Sequence, residues 1–328
     1  MGNPSRYLPR PTITPDRVFF ELTSKTFQDK FLLKPSKESN ECILGIVGRA
    51  LSLFPNLEIY AFAFLSNHFH ILCSVQSLKP MSGFMNHLKS CIARKLGKLI
   101  GWFDHFWGRR YRSIPITDEQ ELLNRFKYIL ANGCREGLVK KPEDWPGVNC
   151  AKALLAGGLL EGVWHDEAGE YEARRSGQDF DPKQFDTKYA IRLKPLPMWE
   201  AFTEEERKAK TRELLDQIAQ EVAAEREAKD KPEALGEKEI LAQDTEAQPL
   251  KKKRSPAPCC HSSTLEGWKR YRDDYRDFVS QFRMAASCLK QKLFPVTFPV
   301  NCFIPSIGYQ SEPVPIMLDG WLRAPAPG

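Results

Sequence analysis

Two apolar runs on either side of a two-residue polar break constrain this chain more than any other feature. Leu57-Glu58-Ile59-Tyr60-Ala61-Phe62-Ala63-Phe64-Leu65 and His68-Phe69-His70-Ile71-Leu72-Cys73-Ser74-Val75 have strand length and are rich in β-branched and aromatic residues. If Ser66-Asn67 makes a tight turn, the two runs are antiparallel neighbours. Neither run, nor any other, approaches the roughly 18 apolar residues that a membrane span needs.

The flanking sequence supplies the rest of a sheet and its helices. Val18–Thr23 reads as a strand. A helix runs from Ser39 or Asn40 to about Leu53, with Ile43, Ile46, Val47, Ala50 and Leu51 at helical spacing, and Pro55-Asn56 breaks the chain after it. A second helix, Pro80 to about Ile100, carries Phe84, Leu88, Cys91, Ile92 and Leu96 on one side and Lys89, Arg94, Lys95 and Lys98 on the other, and Gly101 closes it. Tyr111–Ile116 contains Pro115 and so reads as an edge strand. Thr117 or Asp118 caps a third helix, with Glu119 and Glu121 in its first turn and Leu122, Leu123, Phe126, Ile129 and Leu130 along it. The order β-α-β-β-α-β-α predicts an α+β fold, a mainly antiparallel ferredoxin-like or RRM-like sheet with helices packed on it.

Beyond Trp145-Pro146-Gly147 the character changes. Residues 1–150 read as one unit and 151–230 as a mixed, acidic extension. That extension holds a charged helix from Thr203 to about Lys229, with Leu214, Leu215, Ile218 and Val222 as its apolar strip. Residues 231–262 read as a disordered linker carrying the basic run Lys251–Arg254. Residues 263–328 read as a helix with Trp268, Tyr271, Tyr275, Phe278, Val279 and Phe282 at helical spacing, then a Pro-rich tail, so the C-terminal extension is largely helical. The net charge of +6 is unevenly spread. Residues 1–150 hold 21 Lys and Arg against 13 Asp and Glu, whereas 151–250 hold 15 against 23. A basic first part suits a phosphate-binding surface.

The 9 cysteines are odd in number and form no CxxC pair, which fits a reducing cytoplasm better than a disulfide framework. The N-terminus has no apolar stretch of the secretory kind. Cys259-Cys260-His261 is the one local cluster. Adjacent cysteines suit neither zinc spacing nor an ordinary bridge, so it reads as linker.

Alternation along a strand puts His68 and His70 on one face and Phe69 on the other. Imidazoles so spaced, with Cα atoms roughly 6–7 Å apart, can chelate a divalent ion; the alternative is two surface histidines beside a turn. Tyr128 and Asn132 lie four apart and so share a helical face. Asn132 offers a hard amide oxygen suited to Mg²⁺ or Mn²⁺, and Tyr128 a phenol one turn away. Taken singly, that tyrosine reads equally as packing and that asparagine as a helix cap.

Four segments in order resemble one family. Ser66-Asn67-His68-Phe69-His70-Ile71-Leu72 resembles the Asn-His-hydrophobic-His segment of single-tyrosine HUH transposases, the insertion-sequence 200-like domain. Phe106-Trp107-Gly108-Arg109-Arg110-Tyr111 is similar to a stretch of the REP-associated branch that precedes an edge strand. Tyr128-Ile129-Leu130-Ala131-Asn132-Gly133-Cys134-Arg135-Glu136-Gly137-Leu138-Val139 resembles that branch's tyrosine signature, and Lys141-Pro142-Glu143-Asp144-Trp145-Pro146 resembles the segment just C-terminal to it. Ser66 and Gly133 each stand where that family has proline, and the second change alters the helix end beside Asn132.

The resemblance implies that residues 1–150 are a catalytic domain, with Tyr128 as nucleophile and His68, His70 and Asn132 as ligands of Mg²⁺ or Mn²⁺. It implies single-stranded DNA with palindromic or hairpin elements as substrate, a 5′-phosphotyrosine intermediate, and a monomer or homodimer acting in a bacterial cytoplasm at the nucleoid. Lys89, Arg94, Lys95, Lys98, Trp107, Arg109, Arg110, Tyr111 and Arg112 are candidate DNA contacts, or equally a solvated helix face with a core tryptophan. Two rival classes stay open: a domesticated, non-catalytic nucleic-acid-binding module, and a metal-dependent single-strand nuclease.

Overall fold

The computed structural model describes residues 7–177, 179–249, 258–300, 302–305 and the backbone of 316–318. The basic run Lys251–Arg254 lies outside them. Strands β1 (Val18–Lys25), β2 (Leu57–Leu65), β3 (His68–Val75) and β4 (Arg112–Ile116) form one sheet in the order β2-β3-β1-β4. Every neighbouring pair is antiparallel, and Leu65 pairs with His68 across the Ser66-Asn67 turn. The chain is an α+β protein with ferredoxin-like strand order.

The first helices follow the sequence closely. α1 (Lys37–Leu53) starts just ahead of the expected position because the Ser36 side chain accepts from Ser39 N at 3.0 Å, which makes Ser36 the cap. α2 (Leu78–Cys91) continues through one π turn, Ile92–Leu96, into α3 (Gly97–Leu99), and Gly101 at φ 70° closes it. α4 (Glu119–Leu130) is capped by Asp118, whose side chain accepts from Glu121 N at 2.8 Å. After Ala131 the chain resumes as α5 (Asn132–Arg135).

The sheet separates two helical layers. Phe69 points into the α2 layer, where its ring meets Trp107 at 5.6 Å, and Trp107 Nε1 donates to Lys89 O of α2 at 2.9 Å. His70 points the other way, toward Tyr128 of α4, at 5.5 Å between ring centroids.

Residues after 150 are more ordered than the expected loop-rich stretch. α6 (Ala151–Leu155) is followed by β5 (Leu159–His165), α7 (Glu167–Arg175) and β6 (Asp186–Arg192); β5 and β6 form a hairpin that lies on α1. Its docking needs glycine: a Cβ at Gly45 of α1 would overlap Val163 O, and one at Gly162 would overlap Leu44 O. α8 (Glu204–Ala228) carries a capping box of Thr203 and Glu206 and buries Leu214, Leu215, Ile218 and Val222 in the main core. Within the stretch expected to be a disordered linker, α9 (Glu237–Ala242) buries Ile240 in that same core. Loss of apolar surface to water makes this segment part of the fold in spite of its polar composition.

α10 (Leu265–Lys290) lays Tyr271, Tyr275 and Phe278 around the Tyr7 ring, at 5.9, 5.7 and 4.7 Å. Val296 and Phe298 cluster with Ala285 and Leu289 of that helix. Among the described residues no helix is long and apolar enough to cross a membrane.

Candidate catalytic and metal site

The four residues singled out from sequence come together. The His68 and His70 rings lie 5.1 Å apart between centroids on the α4 face of β3. Asn132, 2% exposed, brings its amide within 3.4 Å of His68 Nε2. Gly133 does not loosen this end of the helix. Arg135 N donates to Ala131 O and Glu136 N to Asn132 O, Leu138 N donates back to Gly133 O, and Gly137 at φ 75° turns the chain.

The imidazole tautomers follow from their partners. Nδ1 of His70 is 2.6 Å from Glu21 Oε1, and Nδ1 of His68 is 2.6 Å from Asn67 Oδ1. Both partners are acceptors, so each Nδ1 carries the hydrogen and each Nε2 keeps its lone pair. The Asn132 amide, turned by half a rotation, presents Oδ1 where Nδ2 lies now. Two imidazole nitrogens and an amide oxygen form a donor set that fits a divalent ion. Among the described residues no group of three or more His, Cys, Asp or Glu side chains is placed to hold one.

Glu21 is the functional residue that sequence reasoning missed. It is the lone charge within the apolar start of β1, Val18-Phe19-Phe20-Glu21-Leu22, and is 3% exposed. Burial raises a carboxyl's pKa, yet contacts from His261 and His70 outweigh it and hold Glu21 well below the usual carboxylate range. A carboxylate behind a ligating histidine fixes the ring's tautomer and direction. The one signal in the sequence was a glutamate at an inward strand position. His261 gave no such signal, and the structure corrects its reading as linker: its side chain is 10% exposed, with Nε2 2.8 Å from Glu21 Oε2.

Tyr128 is half-buried. Arg125 lies over its ring at 4.6 Å and Arg135 at 5.7 Å. Burial and the Glu21 charge push the phenol's pKa up, against the pull of the two arginines. Arg125 itself is anchored: its Nε is 2.9 Å from Glu121 Oε1 and its Nη1 3.7 Å from Glu21 Oε2.

The sheet divides the expected DNA contacts. Lys89 donates to Arg109 O at 2.8 Å, and burial lowers its ammonium pKa to about 8. Lys95 donates to His165 O at 2.7 Å and pairs with Glu167, as does Lys98, so these two lysines hold the segment after β5. Arg94 is exposed on the same layer, away from the histidines. Trp107 is half-buried against Phe69, with its N–H already used. Arg109 and Arg110 are exposed beyond the end of β1, and Tyr111 is half-buried. Arg112 is different. It pairs across β1 with Thr23, which pairs with His70, so all three share the site's face. Lys25, opposite His68, shares it too and was not expected.

Comparison with known proteins agrees with this arrangement. Residues 46–132 match the family model of IS200-like transposases, and this segment of the chain is of that family. The matched segment contains His68, His70, Tyr128 and Asn132. No curated protein matches the chain. Among solved structures, a REP-associated tyrosine transposase bound to a REP hairpin is 19% identical and covers 48% of this chain and 87% of its own, with a TM-score of 0.39. A candidate transposase from Deinococcus radiodurans R1 is 15% identical and covers 37% and 93%, with a TM-score of 0.27.

Proposed function

We propose that this chain is a DNA strand transferase acting on single-stranded, hairpin-bearing DNA, with Tyr128 as nucleophile and His68, His70 and Asn132 as ligands of Mg²⁺ or Mn²⁺. The observation that carries the reading is the meeting of the tyrosine helix with two imidazoles whose Nδ1 atoms are both already engaged. The ion, when bound, would act as Lewis acid and template for a scissile phosphate.

The chain's own residues do the rest. Tyr128 Oη attacks phosphorus, an O–P bond to the 5′ side of the break forms, and the 3′ oxygen leaves with a proton as a free 3′-OH. The phenol gives up its proton in this step, and Arg125 and Arg135 beside the ring stabilise the charge that develops. A second 3′-OH reverses the step and releases Tyr128, so the phosphodiester energy is conserved and no nucleotide is consumed. Arg112 and Lys25, on the same face as the histidines, suit backbone phosphates. The basic surplus of the first 150 residues suits a nucleic-acid substrate.

The test is to incubate the protein with labelled hairpin-bearing single-stranded DNA and Mn²⁺, then denature. A covalent adduct that disappears in Tyr128→Phe is expected. Cleavage that survives Tyr128→Phe would indicate a hydrolytic nuclease, and binding without cleavage by the unaltered chain would indicate a binding module; either outcome overturns the proposal.

A further inference from the structure

The C-terminal segment reaches the site. His261 N donates to Pro115 O at 2.8 Å and Thr117 N donates to His261 O at 3.0 Å, so this residue lies along edge strand β4 in a parallel bridge with Ile116. The next two residues, Ser262 through Oγ and Ser263 through N, donate to Asp118 Oδ2 at 3.1 and 2.9 Å. Asp118 caps the helix that carries Tyr128. The segment therefore grips the sheet edge and the start of the tyrosine helix together.

Its imidazole sits between two buried carboxylates. Nε2 is 2.8 Å from Glu21 Oε2, and Nδ1 is 3.9 Å from Glu121 Oε1. The shorter contact is misaligned for a hydrogen bond and acts as a close polar pairing. Glu21 belongs to β1 and orients His70; Glu121 belongs to α4, on the face of the helix that holds Tyr128 two turns later. We propose that His261 is a positioning residue of this site: it fixes the Glu21 carboxylate that aims His70 and ties α4 to β1. The proposal rests on the strand-transferase reading above.

The physical reason lies in the second oxygen of Glu21. Its Oε1 faces His70 at 2.6 Å. Besides His261, its Oε2 has Arg125 Nη1 at 3.7 Å, beyond hydrogen-bond reach. With His261 gone, that oxygen is buried and underpartnered, and the carboxylate can turn to improve the arginine contact. The turn would move the acceptor of His70 Nδ1 and swing Nε2 away from Asn132. Neither Glu21 nor His261 lies in the segment 46–132 that matches the transposase family. In this chain the site is completed from both flanks of that segment.

Full-length protein is compared with His261→Leu, which fills the space without a polar atom, and with His261→Gln, whose amide N–H can reach where Nε2 lies. Mn²⁺ affinity is read by electron paramagnetic resonance, adduct formation on hairpin DNA by gel, and folding by thermal melting. Altered outer partners of a metal site typically cost about 10–100-fold in affinity. For an effect relayed through Glu21 the expectation is about tenfold weaker Mn²⁺ binding and slower adduct formation in His261→Leu, largely restored in His261→Gln. Should His261→Leu not fold, His261→Asn, whose amide stops short of Glu21, takes its place with the same expected loss. Mn²⁺ affinity within twofold of the unaltered chain, or equal losses in the Leu and Gln variants, would overturn the proposal. An unaltered chain that binds no Mn²⁺ and forms no adduct would instead sink the strand-transferase reading.

Discussion

Replacing Glu21 by Gln asks one question of the whole site. The amide keeps an oxygen for His70 Nδ1, so the hydrogen bond that orients that ring can survive. Its NH₂ group then faces His261 Nε2 and Arg125 Nη1, which lie 2.8 and 3.7 Å from the present Oε2, so donor meets donor. A buried hydrogen bond to a charged group contributes about 1.5–3 kcal/mol. Removing one partner of a buried ion pair costs about 3–5 kcal/mol when the other is left without compensation. Arg125 keeps Glu121 at 2.9 Å, so the lower range applies, and the expected loss is about 2–3 kcal/mol. Urea denaturation of both chains reads this as a lowered midpoint at unchanged slope. The same pair titrated with Mn²⁺ should differ by about tenfold or more. A variant within about 0.5 kcal/mol of the unaltered chain, the size of an ordinary surface change, would refute the ion network. A destabilised variant with unchanged Mn²⁺ affinity would confine Glu21 to holding the fold and refute its role behind His70.

Ile218→Ala on α8, where the side chain is 1% exposed in the main core, should cost about 2–5 kcal/mol in a single cooperative transition; a second, separate transition would show that residues after 150 fold as their own unit. Asp118→Ala should cost about 0.5–2 kcal/mol through removal of a helix cap. Burial raises the Asp118 pKa, but hydrogen bonds from Ser263 and Glu121 N outweigh it and lower it. Its contribution is therefore present above the ordinary aspartate value of about 3.9 and is lost as the pH falls through the lower folded value. Urea midpoints for the two chains should converge in acid, and a difference that grows on acidification would contradict this. Arg112→Ala should weaken single-strand binding and lower its salt slope by about 0.7 for each phosphate no longer neutralised. Lys95→Met should leave binding unchanged, because that ammonium is held at His165 O and Glu167; equal effects in a filter-binding assay would show that the sheet does not divide the surface.

Local chemistry determined much of this protein. Strand alternation put His68 and His70 on one face, the i,i+4 spacing put Tyr128 and Asn132 on another, and both strands of the hairpin lie where β-forming residues and the Ser66-Asn67 turn required. These relations hold over a few residues, so a linear reading recovers them. Tertiary structure alone decided which faces meet. The α2 lysines formed a basic stripe in sequence, yet they lie across the sheet from the histidines, while Arg112 reached the site's face through its register with Thr23. α9 looked like linker because its composition is polar, but one residue, Ile240, suffices to dock it. His261 stands 240 positions after Glu21 in the chain, and no periodicity links two such residues. They meet because edge strand β4 leaves backbone groups at Pro115 and Thr117 that a passing segment can pair, and an unpaired edge takes up whatever strand the rest of the fold delivers to it.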